Sequence, residues 1–224
     1  MGSELYAKYV NIVKNNEISE ESAKNMESII PVQYHNFLGN FGCKVQSQNG
    51  EDGIIYYILS KIGVTNKKCI EICGGDGIEC NSANLMLNHD FKGLIFESDD
   101  KSVQNGLNHY RNKNKQDNIK FVNKWITKEN IVSILNDNPE FTGIIDLLTM
   151  DIDGVDYWIL KEIMESKVIQ PRLIIVEYQD IIGPDKALTV PYSPSFSCRD
   201  YDYYGGPNFC GASLKAFIKL LHKD

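Results

Sequence analysis

Five short runs of apolar or β-branched residues recur along the chain: CIEIC at 69–73, GLIFE at 93–97, IKFVN at 119–123, IDLLTMD at 145–151 and RLIIVEY at 172–178. Several are apolar at nearly every position, the pattern of strands covered on both faces. Between them lie segments whose apolar residues keep helical spacing, SANLMLNHD, KSVQNGLNHYRN, KENIVSILND and VDYWILKEIMES. Strand and helix in alternation predict an α/β fold, a Rossmann-like, doubly wound and mostly parallel sheet. Ahead of it, SQNGEDGIIYYILSKIG at 47–63 predicts a helix with a capped start and a glycine stop at Gly63. Residues 3–30 are polar, with Leu5, Tyr9, Val10, Ile12 and Val13 at helical spacing, and predict one or two surface helices. The organisation expected is an N-terminal helical cap over 1–45 and one α/β domain over 46–224.

Composition narrows the partners. With 224 residues and 42% hydrophobic content the chain is large enough for one substantial core. A formal charge of -7 argues against a broad footprint on nucleic acid or an anionic membrane. No apolar run approaches the roughly 20 residues needed to span a bilayer, and MGSELYAKYV has neither a signal-peptide core nor a myristoylation pattern, so a cytoplasmic location is expected. The six cysteines show no C-x-x-C pair and no Cys/His ligand spacing, which predicts reduced, mostly buried thiols.

The chemistry begins at CIEICGGDGIEC, residues 69–80, where a strand empties into Gly74, Gly75 and Gly77. Glycines there let the backbone turn tightly and approach a ligand closely. Glu97 closes the next strand 20 residues beyond Gly77, the spacing at which a carboxylate takes hydrogen bonds from the hydroxyls of a ribose. Together they point to an adenosine-containing ligand. The dinucleotide pattern G-x-G-x-x-G stays incomplete, because Cys80 stands at its third position. Glu71, inside the first strand, can either meet a ligand's ammonium or order the loop. S-adenosylmethionine carries such an ammonium, whereas NAD needs no such acid.

The run SQNGEDGII, EICGGDGIECNSANLML, GLIFESD, ITKENIVSIL, LLTMDIDGVDYWIL and LIIVEYQ resembles, in this order, the FkbM-like S-adenosylmethionine-dependent methyltransferases, over roughly residues 46–217. The resemblance implies that Glu71, Gly75 and Gly77 form the methionine-side loop, with Gly74 beside them, that Glu97 and Ser98 hold the ribose end, and that Asn123 to Ile126 border the adenine. It places Gln48, Asn81 and Asp151 toward the cofactor. Cys73 departs from it, standing where the family has the first glycine of the loop. The family also continues with two further strands past the helix matching GASLKAFIKLL, so either the last two strands are lacking here or something else closes the sheet.

Asp151 and Asp153 follow the fourth strand and converge if strand geometry persists, since side chains at i and i+2 share a face. With Glu177 they are the candidate catalytic acids. Methyl transfer to an alcohol needs a base for the hydroxyl proton, or a divalent cation that acidifies it, and the residues leave both open. Magnesium enters by resemblance only, through related sugar methyltransferases that use such aspartates. Either aspartate, or Asp156, can instead cap the next helix. Residues 180–209 combine prolines and aromatic rings without a period, as an acceptor-binding loop would. Tyr192, Arg199 and Tyr201 are its candidate contacts to a small, sugar-like or phosphorylated acceptor, with Lys186 beside them. Trp125 and Trp158 read as core, and His35, His89 and His109 as surface or capping residues. The rival functions are a nicotinamide-dependent oxidoreductase and a non-catalytic adenosyl-binding module. A homo-oligomer is compatible with a sheet that leaves an edge to cover.

Overall fold

A computed structural model describes residues 8–12, 38–199 and 209–222. Its main sheet contains β1 (Lys8–Ile12), β2 (Lys68–Ile72), β3 (Lys92–Glu97), β4 (Ile119–Asn123), β6 (Leu147–Met150) and β8 (Leu173–Glu177). From edge to edge the order is β4-β3-β2-β6-β8-β1. The pairs β2·β3, β3·β4, β2·β6 and β6·β8 are parallel. The helices are α1 (Glu51–Ile62), α2 (Ala83–Asn88), α3 (Asp100–Asn112), α4 (Ile131–Asn136), α5 (Asp156–Ser166) and α6 (Leu214–Leu221). The chain builds outward from β2 to β4, then crosses back to β6 on the other side. That reversal puts a crevice beyond the carboxyl ends of β2 and β6, where open sheets of this kind take their ligands. The doubly wound, mostly parallel α/β architecture expected from the strand pattern is the one observed.

Each face of the sheet has its own core. Ile70, Ile72, Leu94, Phe96, Leu148, Met150, Ile174 and Val176 pack with residues of α4, α5 and α6. Cys69, Ile95, Leu147, Leu173 and Ile175 pack with residues of α1, α2 and α3. This two-sided burial is why the strand sequences are apolar nearly throughout. Among the described residues no helix is long and apolar enough to cross a membrane.

Three departures from the sequence reading have physical causes. The run 145–151 is two strands, because Asp146 breaks it between β5 (Gly143–Ile145), which pairs with β7 (Ile169–Pro171), and β6. Asp146 is fully buried and accepts from the amides of Thr65, Asn66 and Lys67, the Thr65 hydroxyl and Arg172. Burial opposes its charge, and these donors hold its proton affinity below the usual carboxylate range. Secondly, residues 8–12 of the expected helical cap form a strand, β1, antiparallel to β8 with Val10 opposite Ile175. The sequence KYVNI carries two β-branched residues, and the edge of β8 offers it a row of backbone partners. The rest of the cap, including His35, lies outside the described residues save for 38–45. The strand that closes the sheet beyond β8 thus comes from the N-terminal side.

Finally, α1 does not begin with a side-chain cap. Gly50 precedes it at φ +93°, and Asp52 turns back so that Oδ2 accepts from the amides of Val45, Gln46 and Ser47 and from the Ser47 hydroxyl. The stop at Gly63, φ +78°, is as expected.

Candidate active site

The glycine loop leaves β2 through two tight steps. Cys73 lies at φ +62°, a left-handed conformation that costs an L-residue roughly 1–2 kcal/mol. The residue that departs from the resembling family therefore stands where glycine fits best. Its amide and that of Gly74 both donate to the Phe96 carbonyl, 2.9 and 3.3 Å away, tying the loop to the end of β3. Gly77 is at φ +68°, and a Cβ there would come within 2.7 Å of Ile95. At Gly75, by contrast, a Cβ would meet nothing within 4 Å, so this side of the loop is open. Gly106 on α3 has no room for a side chain, since a Cβ would lie 2.3 Å from the Asp76 carbonyl. The helix can therefore close on the loop.

Glu97 is held from both sides. Oε2 accepts from the Gly75 amide at 3.0 Å and Oε1 from the Asp99 amide at 2.8 Å. Each carboxylate oxygen has a second lone pair available, so the group is aimed and still able to accept. Ser98 is exposed beside it, and Asn123, also exposed, donates to Asp100 at 3.0 Å. Glu71 is buried, and its oxygens accept from the amides of Asn81, at 3.3 Å, and Ser82, at 2.9 Å. Of the two roles open to it in the sequence, ordering the loop is the one with visible partners. Burial raises its proton affinity, partly offset by the Thr149 and Ser82 hydroxyls and those amides. Gln48 is exposed in the 45–50 turn gathered around Asp52, and Asn81 is half-buried.

Across the crevice, Asp151, Asp153 and Glu177 converge, with one carboxylate oxygen from each within 4.8 Å of the others. They meet although strand geometry ends at Met150. The chain turns instead, with Asp153 at φ +54° and Asp156 accepting from the amides of Ile152, at 2.8 Å, and Gly154, at 3.0 Å. Asp156 is fully buried, and burial lifts its proton affinity to about 6. It shapes the turn, whereas neither Asp151 nor Asp153 caps α5, which starts after Val155 without a side-chain cap. For Glu177, burial, a hydrogen bond to Asp151 and the charges of Asp151, Asp153 and Asp156 raise the carboxyl to about 8. For Asp153, burial and the charge of Asp151 raise it and Arg199 lowers it. Arg199 is thus within electrostatic reach of the acids. Three hard oxygen donors at this separation suit a small divalent cation, and a proton kept by Glu177 relieves the same crowding.

The loop after β8 also differs from the sequence reading. Tyr192 gives its hydroxyl hydrogen to Glu129 and accepts from the Lys128 amide at 3.2 Å. Trp125, read as core, is 54% exposed and donates from Nε1 to the Pro194 carbonyl at 2.8 Å. Trp158 is partly buried against the core. Tyr201 lies outside the described residues. Of the cysteines, Cys69 and Cys80 are buried and Cys198 and Cys210 half-buried, but Cys43 and Cys73 are exposed rather than buried. The sequence reading missed Asp52 as an organiser and the partners Lys128 and Glu129; only Asp52, inside the quoted SQNGED motif, carried a signal. Two depressions of about 240 and 430 Å³, one lined by Lys92, Asp117 and Lys120, the other by Tyr56, Leu59 and Phe91, sit away from this site, near the strand starts.

No protein-family model matches the chain, and no curated protein matches it. Similar solved structures include the S-adenosylhomocysteine-bound methyltransferase PaMTH1 of Podospora anserina, 14% identical, with a TM-score of 0.49 over 91% of this chain and 86% of that one. A putative O-methyltransferase from Klebsiella pneumoniae is 15% identical, with a TM-score of 0.44 over 74% of each chain. The O-methyltransferase TomG of Streptomyces achromogenes, solved with S-adenosylmethionine, is 14% identical, with a TM-score of 0.44 over 76% of this chain and 80% of that one.

Proposed function

We propose that this chain is an S-adenosylmethionine-dependent methyltransferase that methylates a hydroxyl of a small, sugar-like, phosphorylated or nucleotide-linked acceptor, in polysaccharide or secondary-metabolite tailoring. The observation that carries the reading is Glu97, whose carboxylate is fastened to the Gly75 amide at the strand ends and keeps free lone pairs for a ribose. The ordered motif resemblance and the acid cluster on the neighbouring strands support it. When bound, the cofactor supplies an electrophilic methyl group on a sulfonium that leaves as a neutral thioether. Glu97 would hold the ribose hydroxyls. Gly75, open on its outer side, would let the backbone come close to the methionine end, and Asn123 to Ile126 would border the adenine. Asp151 and Glu177, when ionised, would take the proton of an acceptor hydroxyl held in line with that methyl group. Alternatively, Asp151, Asp153 and Glu177, all ionised, would hold a magnesium ion, which would supply a Lewis acid for the hydroxyl in place of the base. Arg199 would steer an anionic group of the acceptor.

Calorimetric titration with S-adenosylhomocysteine and, separately, with NAD and NADH tests the cofactor half. Binding of the thioether alone supports the proposal, and preferential nicotinamide binding makes the protein an oxidoreductase. A methyl-transfer screen over hydroxylated metabolites, run with and without magnesium, tests the rest. Cofactor binding with no transfer to any acceptor, unchanged by replacing Asp151 and Asp153, would leave a binding module.

A further inference from the structure

The loop after β4 and the loop after β8 are fastened to each other. Trp125 donates from Nε1 to the Pro194 carbonyl, Tyr192 donates from its hydroxyl to Glu129, and the Lys128 amide donates back to the same hydroxyl. The Lys128 Nζ lies 4.2 Å from the centroid of the Tyr192 ring, and Trp158 holds the start of the strap through Nε1 and the Val190 carbonyl at 2.8 Å. The first loop is braced internally, because Asn130 accepts from the Thr127 amide at 2.9 Å and donates to the Trp125 carbonyl at 2.9 Å. Asn130 thus ties Trp125 and Thr127 into one turn that includes Glu129. Partners 63 and 69 residues apart in sequence make this clasp, which belongs to no helix or sheet.

The Tyr192 hydroxyl, which has one hydrogen to give, gives it to Glu129. That places the residue as a fastener rather than as a donor to an acceptor. We infer that Tyr192 is a positioning residue that couples occupancy of the adenosyl side of the crevice to the ordering of the acceptor loop, so that the acceptor surface forms when the cofactor is in place. This rests on the cofactor placement proposed above. A ligand that restricts residues 123–126 restricts Trp125 and Glu129 with them. Through their bonds to Pro194 and Tyr192, it disfavours opening of residues 191–199, the part of the strap beyond the backbone bonds of Leu188 and Val190 to residues 211–213. Such coupling needs no change of fold, only a ligand that reduces the freedom of one bonded partner.

The segment carries its own reporter, since Arg199 is exposed at its end. In the full-length protein, trypsin cleavage after Arg199 is followed with and without saturating S-adenosylhomocysteine, whose affinity is measured by calorimetry for each variant. The wild type should be cleaved about fivefold more slowly with ligand, the low end of ordinary coupling between sites. Tyr192→Phe and Glu129→Ala should each bind the ligand with near wild-type affinity and lose most of that protection, and the double variant should lose no more than either alone. A circular dichroism melt confirms that each variant is folded. Wild-type protection that survives intact in Tyr192→Phe, or ligand binding without any protection, overturns the coupling. Absence of binding to the wild type overturns the cofactor placement itself and the coupling with it.

Discussion

At position 73 a cysteine occupies a backbone conformation that favours glycine, φ +62°. Relief of that strain should outweigh the entropy that glycine adds to the unfolded chain. We therefore expect Cys73→Gly to stabilise the protein by about 0.5–1 kcal/mol. Urea denaturation monitored by fluorescence checks this, and an unchanged or lower midpoint would mean that the thiol contributes packing that offsets the strain. A second expectation concerns Glu177, whose proton affinity is raised to about 8 by burial, by its bond to Asp151 and by the neighbouring acids. The folded protein keeps this proton where the unfolded chain has released it, so the contribution of Glu177 to stability falls as pH rises from about 4.5 to about 8 and levels off above. The same proton blocks the base, so without a divalent cation methyl transfer should rise with pH along a limb near 8 and lose that limb in Glu177→Gln. A pH–rate profile whose limb persists in the variant would assign the titration to another group. Several of these residues were legible in the sequence, Glu97 by its spacing from the glycines and the three acids by their place after strands. The left-handed backbone at Asp153 was not, since the convergence of the acids comes from a turn shaped by Asp156 rather than from strand alternation.

Among the elements, the five parallel strands and the helices between them were readable because a strand buried on both faces has almost no freedom to be polar. Asp146 is the instructive exception: its buried charge is invisible to a hydrophobic pattern and is tolerated because Thr65, Asn66, Lys67 and Arg172 come to it from other segments. The polar pattern predicts helix where β1 forms for a related reason. A five-residue edge strand is decided by the partner it finds, here β8, and no local periodicity records that partner. Removing residues 1–12 should bare the β8 edge and promote self-association, measured by sedimentation velocity against the intact chain. A truncated chain that stays as dispersed as the intact one would show that the edge is protected in another way.

For the molecule as a whole, the two halves of the crevice are built differently. The glycine loop is backbone pinned to the ends of β2 and β3, whereas the loop after β8 is held by the side chains of Trp125, Glu129 and Trp158 and by backbone bonds of Leu188 and Val190 to residues 211–213. That contrast explains why the first half was legible from a short motif and the second was not: the clasp joins residues more than 60 positions apart. The proposed adenosyl site depends most on the carboxylate at the end of β3, and titration of S-adenosylhomocysteine into the wild type and into Glu97→Ala measures that dependence directly. The wild type should bind, and the variant, folded by circular dichroism, should bind about 100-fold more weakly, the loss of two hydrogen bonds to a charged group. Equal affinity in the two proteins, or no binding to either, would contradict it.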